Sequence, residues 1–343
     1  VEGSSTPKIR SDRVVFEANL EYWDTTRFPQ LQRIVFDNTL KQHEAVELIK
    51  TGEGRVDIVT ELRPLDTLRV AQSPFAHVVK NRGALMTMLG FFNMRKADSP
   101  WRDVRLRQAV NMAINRDHLI RYATKGNGVI IPALVPAKGF GYDPDLAPYA
   151  FDPGKTRRLL REAGYPDGLS LTLIASDDLS VQATVISKML DRAGFKVDLQ
   201  LFDADAFNRQ TFLSHLEQPP ERQTWDIALG RWIDLINFPV LMVYTQFALD
   251  GVYDWLMEEP ALRQLYAQVL GTVDQEQQQG LIGQMERHTR DQAYFLFLYN
   301  PIQLYAVNKE VKFVSYVNRL DLAELSVTDQ HWSVRKQKAT VSR

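Results

Sequence analysis

The chain has no cysteine. That excludes disulfides, thiol nucleophiles and thiolate metal ligands, and it fits an oxidising compartment, where stray thiols are a hazard. Histidine is sparse as well. His43, His77, His118, His215, His288 and His331 lie far apart, with no HExxH and no close ligand pair, so each is read as a surface or packing residue and no metal site is expected. No apolar run reaches the roughly 18 residues a membrane span requires. Val1–Arg10 is polar, so no secretory leader is read there, and the lack of a starting Met points to a processed or trimmed chain. An excess of either charge is also missing: 41 basic against 42 acidic residues leave a formal net charge of -1, and no global field favours nucleic acid or an anionic membrane. Among catalytic signatures, GxSxG and the P-loop are absent, and Gly139-Phe140-Gly141 lacks the later glycine of a dinucleotide fingerprint. Asp177-Asp178 follows a predicted strand and reads as a loop capping the next helix, in a place where an acid for chemistry could also sit. A pair of carboxylates distant in sequence can still meet in space, so a hydrolase stays open at this level.

What is present is a globular composition of 343 residues, 45% hydrophobic and 24% charged, enough for two domains with their own cores. Short strands are expected at Val14–Phe16, Leu31–Phe36 and Val56–Val59, with helices at Lys41–Lys50 and Leu65–Ala71. Ala84–Phe92 is nearly all apolar and predicts a buried strand. Trp101–Tyr122 carries a strong helical pattern interrupted at Asn115-Arg116-Asp117, with Asp117 as the expected cap of a second helix. Gly126–Tyr149 is a long Gly/Pro-rich loop, of a kind that is often functional.

From Asp152-Pro153 onward the pattern alternates. Helices are expected to Ala163, over Val181–Arg192 and over Ala206–Leu216, with strands at Leu169–Ala175, Phe195–Phe202 and Trp225–Leu229. That alternation predicts an open α/β sheet layered by helices. Helices at Ala261–Val269 and Gln275–Thr289 and two short strands over Phe295–Val307, broken at Asn300-Pro301, complete the pattern, and the basic tail reads as a frayed end.

Aromatic residues are concentrated between Trp225 and Trp255, where Trp232, Phe238, Tyr244, Phe247 and Tyr253 alternate with Asp226, Arg231, Asp234, Asn237 and Asp250. Apolar walls with a few fixed polar groups are what a small-solute pocket needs, and core packing is the competing reading for each ring. Arg231 suits a ligand carboxylate, and Asp234, just after a predicted strand, suits a ligand ammonium or hydroxyl. The residues alone leave a binding protein, a sugar-active enzyme and a partner-binding domain open.

Four separated stretches resemble the peptide/nickel-type family of extracytoplasmic solute-binding proteins. They are Asn19-Leu20-Glu21-Tyr22-Trp23 with Pro29 and Leu31–Phe36; Ala45–Ile58 with Gly52 and Asp57; Phe92-Asn93 followed by Pro100–Asp117; and Tyr149–Lys155 followed by Leu159–Gly168. The third is similar to the family's "F-N … P-F-x-D-x-R-V-R-Q-A-x-x-x-A-I-D-R", with Trp101 in place of Phe and Asn115 in place of Asp.

The resemblance implies an α/β, two-lobed, periplasmic-binding-protein-like fold of type II, whose first lobe lacks the family's opening segment. Residues 1–90 with 301–335 would form part of lobe one, 91–300 lobe two, and 336–343 a disordered tail, with hinges near Phe92 and Tyr299. It further implies the substrate-binding component of an ABC importer, not an enzyme, which takes an oligopeptide, dipeptide or other small solute in an interlobe cleft and delivers it to permease membrane subunits. The ligand-binding residues expected are Asp234, Trp232, Arg231, Asn237, Tyr244, Tyr142 and Phe92, with no cofactor, no metal and no nucleic acid. A periplasmic or extracytoplasmic monomer is expected, lipid-anchored through a segment ahead of Val1. The alternatives are a ligand-sensing domain of a transcriptional regulator and a hydrolase.

Overall fold

The computed structural model describes residues 11–51, 54–83, 86–96, 98–137, 139–214, 219–233, 244–247, 251, 253, 255–257, 259–317 and 320–335. The chain divides into two compact units, Val1–Ala84 with Ile302–Arg343, and Leu85–Pro301.

The first unit opens with strands β1 (Arg13–Glu17) and β2 (Arg33–Asp37), which pair antiparallel as a two-stranded sheet. Helix α1 (Gln42–Ile49) follows and buries Val46 and Ile49. Then come β3 (Ile58–Val59), a 3-10 turn at Pro64–Asp66, α2 (Thr67–Ala71) and β4 (Ala76–Asn81). Strand β4 was not visible in the sequence pattern, since Ala-His-Val-Val-Lys-Asn mixes polar and apolar residues without clean alternation.

The second unit begins at β5 (Met86–Phe92), whose last six residues are buried. Helices α3 (Val104–Ala113) and α4 (Arg116–Ala123) follow, then the short strand β6 (Gly128–Ile130) inside the Gly/Pro loop. The cap of α4 is Asn115 and not Asp117: the Asn115 side chain accepts from the His118 amide at 2.9 Å, while Asp117 lies in the first turn. Three positions separate a capping side chain from the amide it serves, and helical backbone starts at Arg116. Helix α5 (Pro153–Glu162) begins with proline after the cap Asp152, as its sequence predicts.

Strand β7 (Leu169–Ser176), helix α6 (Ser180–Ala193) and strand β8 (Phe195–Phe202) form a parallel crossover unit. Gly194 closes α6 at φ 111, a left-handed conformation that a Cβ would strain. Helix α7 (Ala204–Gln210) is shorter than the periodicity predicts. Strand β9 (Ile227–Ile233), helices α8 (Pro260–Gly271) and α9 (Gln275–Asp291), and strand β10 (Phe295–Pro301) complete the unit. The chain then returns to the first unit as β11 (Gln303–Asn308), β12 (Val311–Lys312) and β13 (Ser326–Val327).

The second unit holds one six-stranded mixed sheet in the order β6-β10-β5-β9-β7-β8, and in the first unit β11 lies between β3 and β4. The unit boundary falls before β5, which is paired along its whole length to β9 and over Met88–Phe91 to β10. An expected boundary at residue 90 would have cut a central strand.

Two buried arginines tie the helices of the second unit to its sheet. Arg107 donates to the carbonyls of Trp101 (2.6 Å) and Gln292 (2.6 Å). Arg116 donates to the carbonyls of Phe297 (2.7 Å), Asn111 (3.0 Å) and Tyr149 (3.1 Å), and to the Asn111 side-chain oxygen at 3.0 Å. Asn111 in turn donates to the Phe295 carbonyl and accepts from the Phe297 amide. Burial lowers both guanidinium groups to about 10, so both remain charged at neutral pH. In the first unit the comparable knot is Asp57, which accepts from Asn308 (3.0 Å) and Trp332 (3.1 Å) and faces His331 Nε2 at 3.1 Å.

The Gly/Pro loop is pinned to α9 by Glu286. Its fully buried carboxyl accepts from the Leu134 amide (2.8 Å) and the Val135 amide (2.7 Å) through a single oxygen, Oε2. Burial pushes this group up to about 7, against the two amide bonds that favour the charged form; Asp143, paired with Arg287, adds to the rise. Because the folded value lies above the ordinary 4.5, the stability Glu286 contributes is complete below pH ~4.5 and is lost as pH rises through about 7. Glu286→Gln keeps an oxygen acceptor and cannot ionise, so it should flatten that pH dependence in thermal melts. Glu286→Ala leaves two buried amides unsatisfied and should cost about 2–4 kcal/mol. Arg116→Lys offers a single nitrogen where a fork spans two elements and should cost about 2–4 kcal/mol in chemical denaturation.

Candidate functional site

Strands β7, β8 and β9 run parallel, β5 runs against β9, and β10 runs against β5. The carboxyl ends of β7, β8, β9 and β10 therefore share one edge of the sheet with the start of β5. From β7 the chain goes outward to β8 and then returns to the other side of β7 as β9. This reversal opens a crevice at the carboxyl ends of β7 and β9, the place where open α/β sheets hold ligands.

Local geometry fills that crevice with polar groups. The last pair between β7 and β9 is Ala175 with Leu229, so β9 runs on past the end of β7 and carries Arg231 beyond it. Arg231 meets Asp178, on the turn after β7, at 2.7 Å, with the side chains 40% and 50% exposed. Asp178 also accepts from the Ser176 hydroxyl. Burial raises the pKa of the Tyr299 phenol, while Gln182 and Arg231 act in the opposite direction. Asn300 donates to the Met86 carbonyl (3.0 Å) and the Thr87 hydroxyl (2.9 Å), holding the outgoing strand to the incoming one.

The neighbouring Trp232 is only 8% exposed, and its ring stands edge-on to Phe247 at 4.9 Å. Its indole nitrogen is buried and has no protein acceptor among the described residues. A buried N–H without an acceptor costs free energy that a ligand acceptor would recover.

The remaining expected residues scatter. Asp234 and Asn237 lie outside the described residues; Asp234 directly follows β9 in the chain. Tyr244 is buried against Tyr266, with centroids 4.3 Å apart. Tyr142 is half-buried in the loop pinned by Glu286. Phe92 is placed away from the crevice. It pairs with Ile227 at the opposite edge of the sheet, is 0% exposed and packs on Trp101 at 5.3 Å. It offers a solute no surface, and it lies inside β5, whereas the division into compact units falls between Ala84 and Leu85.

The aromatic interval is mostly core: Phe247 stacks on Phe91 at 5.0 Å, and Trp225 and Trp255 meet edge to face at 4.9 Å. Asp177-Asp178 does not cap α6, which has no side-chain cap. The ion pair of Asp178 with Arg231 was missed because the partners are 53 positions apart; an acid just past one parallel strand and a base near the end of the next was the available signal.

This two-unit architecture, with a mixed sheet open at the carboxyl ends of its parallel strands, is that of periplasmic binding proteins. The structure of the ABC transporter-associated periplasmic binding protein DppA from Helicobacter pylori, in complex with the peptide STSA, superposes with a TM-score of 0.74 at 20% identity, covering 93% of this chain and 61% of that one. Residues 8–253 match the model of the bacterial extracellular solute-binding proteins, family 5, and the chain belongs to that family. It is 31% identical over 166 residues to the dipeptide-binding protein of Escherichia coli, covering 48% of this chain and 30% of that protein. It is 28% identical over 196 residues to the glutathione-binding protein GsiB of Salmonella choleraesuis, covering 53% and 35% respectively. The chain thus spans about a third of the length of these curated relatives.

An exposed ion pair contributes little to folding. Arg231→Gln should therefore leave unfolding free energy within ~1 kcal/mol of wild type in urea titrations. A larger loss would mark Arg231 as a structural strut and not a free site residue.

Proposed function

We propose that this chain is the solute-capturing component of an ABC importer, which binds a peptide-like solute and hands it to permease membrane subunits without turning it over. The observation that carries this reading is the polar crevice at the carboxyl ends of β7 and β9, where Arg231 meets Asp178; the next residue on β9, Trp232, adds a buried indole N–H with no acceptor among the described residues. Family membership and the peptide named for the relatives favour a ligand with both an ammonium and a carboxylate.

In this reading Asp234 holds the ammonium, Arg231 exchanges Asp178 for the ligand carboxylate, and Trp232 supplies a wall and one indole donor. Asn237 supplies a further polar contact. The protein works in the periplasm or another extracytoplasmic space, lipid-anchored there.

Calorimetric titration with di- to tetrapeptides tests the reading. Free-terminus peptides should bind, and acetylated or amidated ones should bind more weakly. Asp234→Ala should weaken amine-bearing peptides tens-fold, at a cost of about 2 kcal/mol, and Trp232→Phe should lose several-fold while keeping the edge-on packing. Equal affinity for free and blocked termini would overturn the assignment of Asp234 and Arg231, and no binding across the peptide set would overturn the peptide-like class.

A further inference from the structure

The pair of Arg231 with Asp178 is made through one atom on each side. Arg231 reaches with Nη1 and Asp178 with Oδ2, 2.7 Å apart. The other carboxylate oxygen, Oδ1, accepts from the Ser176 hydroxyl. Ser176 is the last residue of β7 and is buried, and Asp178 lies on the short turn Asp177–Leu179 that leads into α6. The strand end thus holds one oxygen of the acid and leaves the other for the arginine.

A guanidinium offers parallel N–H groups to a carboxylate that can face it with both oxygens, and that forked contact is the stronger form. With Oδ1 given to Ser176, Asp178 makes the single-point form. Arg231 itself is set by the sheet, since it pairs with Met88 of β5 in the β9 ladder. A carboxylate with both oxygens free is therefore the better partner for Arg231, and Asp178 is a weaker one kept permanently at hand.

We propose that Asp178 is a built-in competitor for the ligand carboxylate: it pairs with Arg231 between solutes, yields to the terminal carboxylate of a bound peptide, and returns as the solute leaves. The proposal rests on the reading that Arg231 takes the carboxylate of a peptide-like solute. Its effect is one of charge. Paired with Asp178, Arg231 presents no net charge, so a carboxylate that binds there exchanges one ion pair for another and ionic strength has little leverage on the step. Without the acid, Arg231 presents a full positive charge. Carboxylate ligands would then bind more tightly, leave more slowly, and lose affinity as salt rises. The competitor lowers affinity chiefly by speeding dissociation, which suits a protein that must hand its solute on.

Calorimetry and stopped-flow dissociation test this on the full chain, with di-, tri- and tetra-alanine, each with a free or an amidated carboxyl end, at about 0.01 M and about 0.15 M salt. The readout is the ratio of free to amidated affinity, in which the contribution of the ammonium end cancels. In Asp178→Asn that ratio should rise about three- to tenfold at low salt, through slower release of the free peptide, and fall back toward wild type at the higher salt. The wild type and Asp178→Glu, which keeps the charge, should hold nearly the same ratio at both. In an Arg231→Gln background, Asp178→Asn should move the ratio by less than about twofold. Circular dichroism checks that each variant is folded.

A ratio that is unchanged or lowered in Asp178→Asn overturns the proposal, since Asp178 is then a bystander or an orienting partner of Arg231. A gain that persists without Arg231 overturns it equally. Both outcomes leave solute capture standing, because the peptides still bind. If none of the alanine peptides, free or amidated, binds any of these chains, the proposal falls together with the reading on which it rests.

Discussion

The second unit depends on two guanidinium groups that are buried without a carboxylate partner in hydrogen-bonding contact among the described residues. Arg107 and Arg116 are held by main-chain carbonyls and, for Arg116, one asparagine side-chain oxygen. Such a charge is tolerated inside a protein only when its donors are satisfied. That requirement fixes the spacing of α3, α4, the end of α9 and β10, because their carbonyls must converge within hydrogen-bond reach of planar forks. Asn111 completes the knot by bonding β10 in both senses. The stretch Arg107 to Arg116 is also where the resemblance to the solute-binding family is densest, and the knot gives that resemblance a physical content: these residues hold helices to a sheet.

The crevice follows from the same sheet. With β10 fixed by the arginines and paired to β5, and β5 paired to β9, the end of β9 is positioned by hydrogen bonds running across the whole unit. Because β7 stops short of β9, Arg231 projects past it and meets Asp178. The site is thus built on rigid strand ends and on the turn that follows one of them. The aromatic residues nearby serve a different purpose. Phe91, Phe247, Trp255 and Trp225 are packed into one buried cluster, and Trp232 joins it by its ring while its indole N–H has no acceptor among the described residues.

Much of the local structure was legible in the sequence because capping and periodicity are local properties. Asp152 with Pro153, Gly194 after α6 and the apolar run of β5 each announce an element within a few residues of where it lies. The misses share a cause. The cap of α4 shifts from Asp117 to Asn115 because the geometry counts from the first helical residue, a detail the apolar pattern leaves open by two positions. Strand β4 carries no clean alternation, and its pairing with β11, from distant sequence, is what makes it a strand. Phe92 and Arg231 look equivalent in sequence, both at the end of an apolar strand, yet the antiparallel pairing of β5 with β9 sends them to opposite edges of the sheet.

By itself the sequence determined the class: an α/β chain without thiols or metal-ligand spacing, with helices and strands in alternation and four separated stretches matching a solute-binding family. Short-range forces are enough for that, since a cap, a turn or an amphipathic period needs only neighbours a few residues away. The tertiary structure alone decided strand order, the division before β5, which aromatic rings are core, and that Asp178 rather than another acid faces Arg231. Each of these depends on pairing between residues tens to hundreds of positions apart, and such pairing is settled by the packing of the whole unit, not by any one segment of the chain.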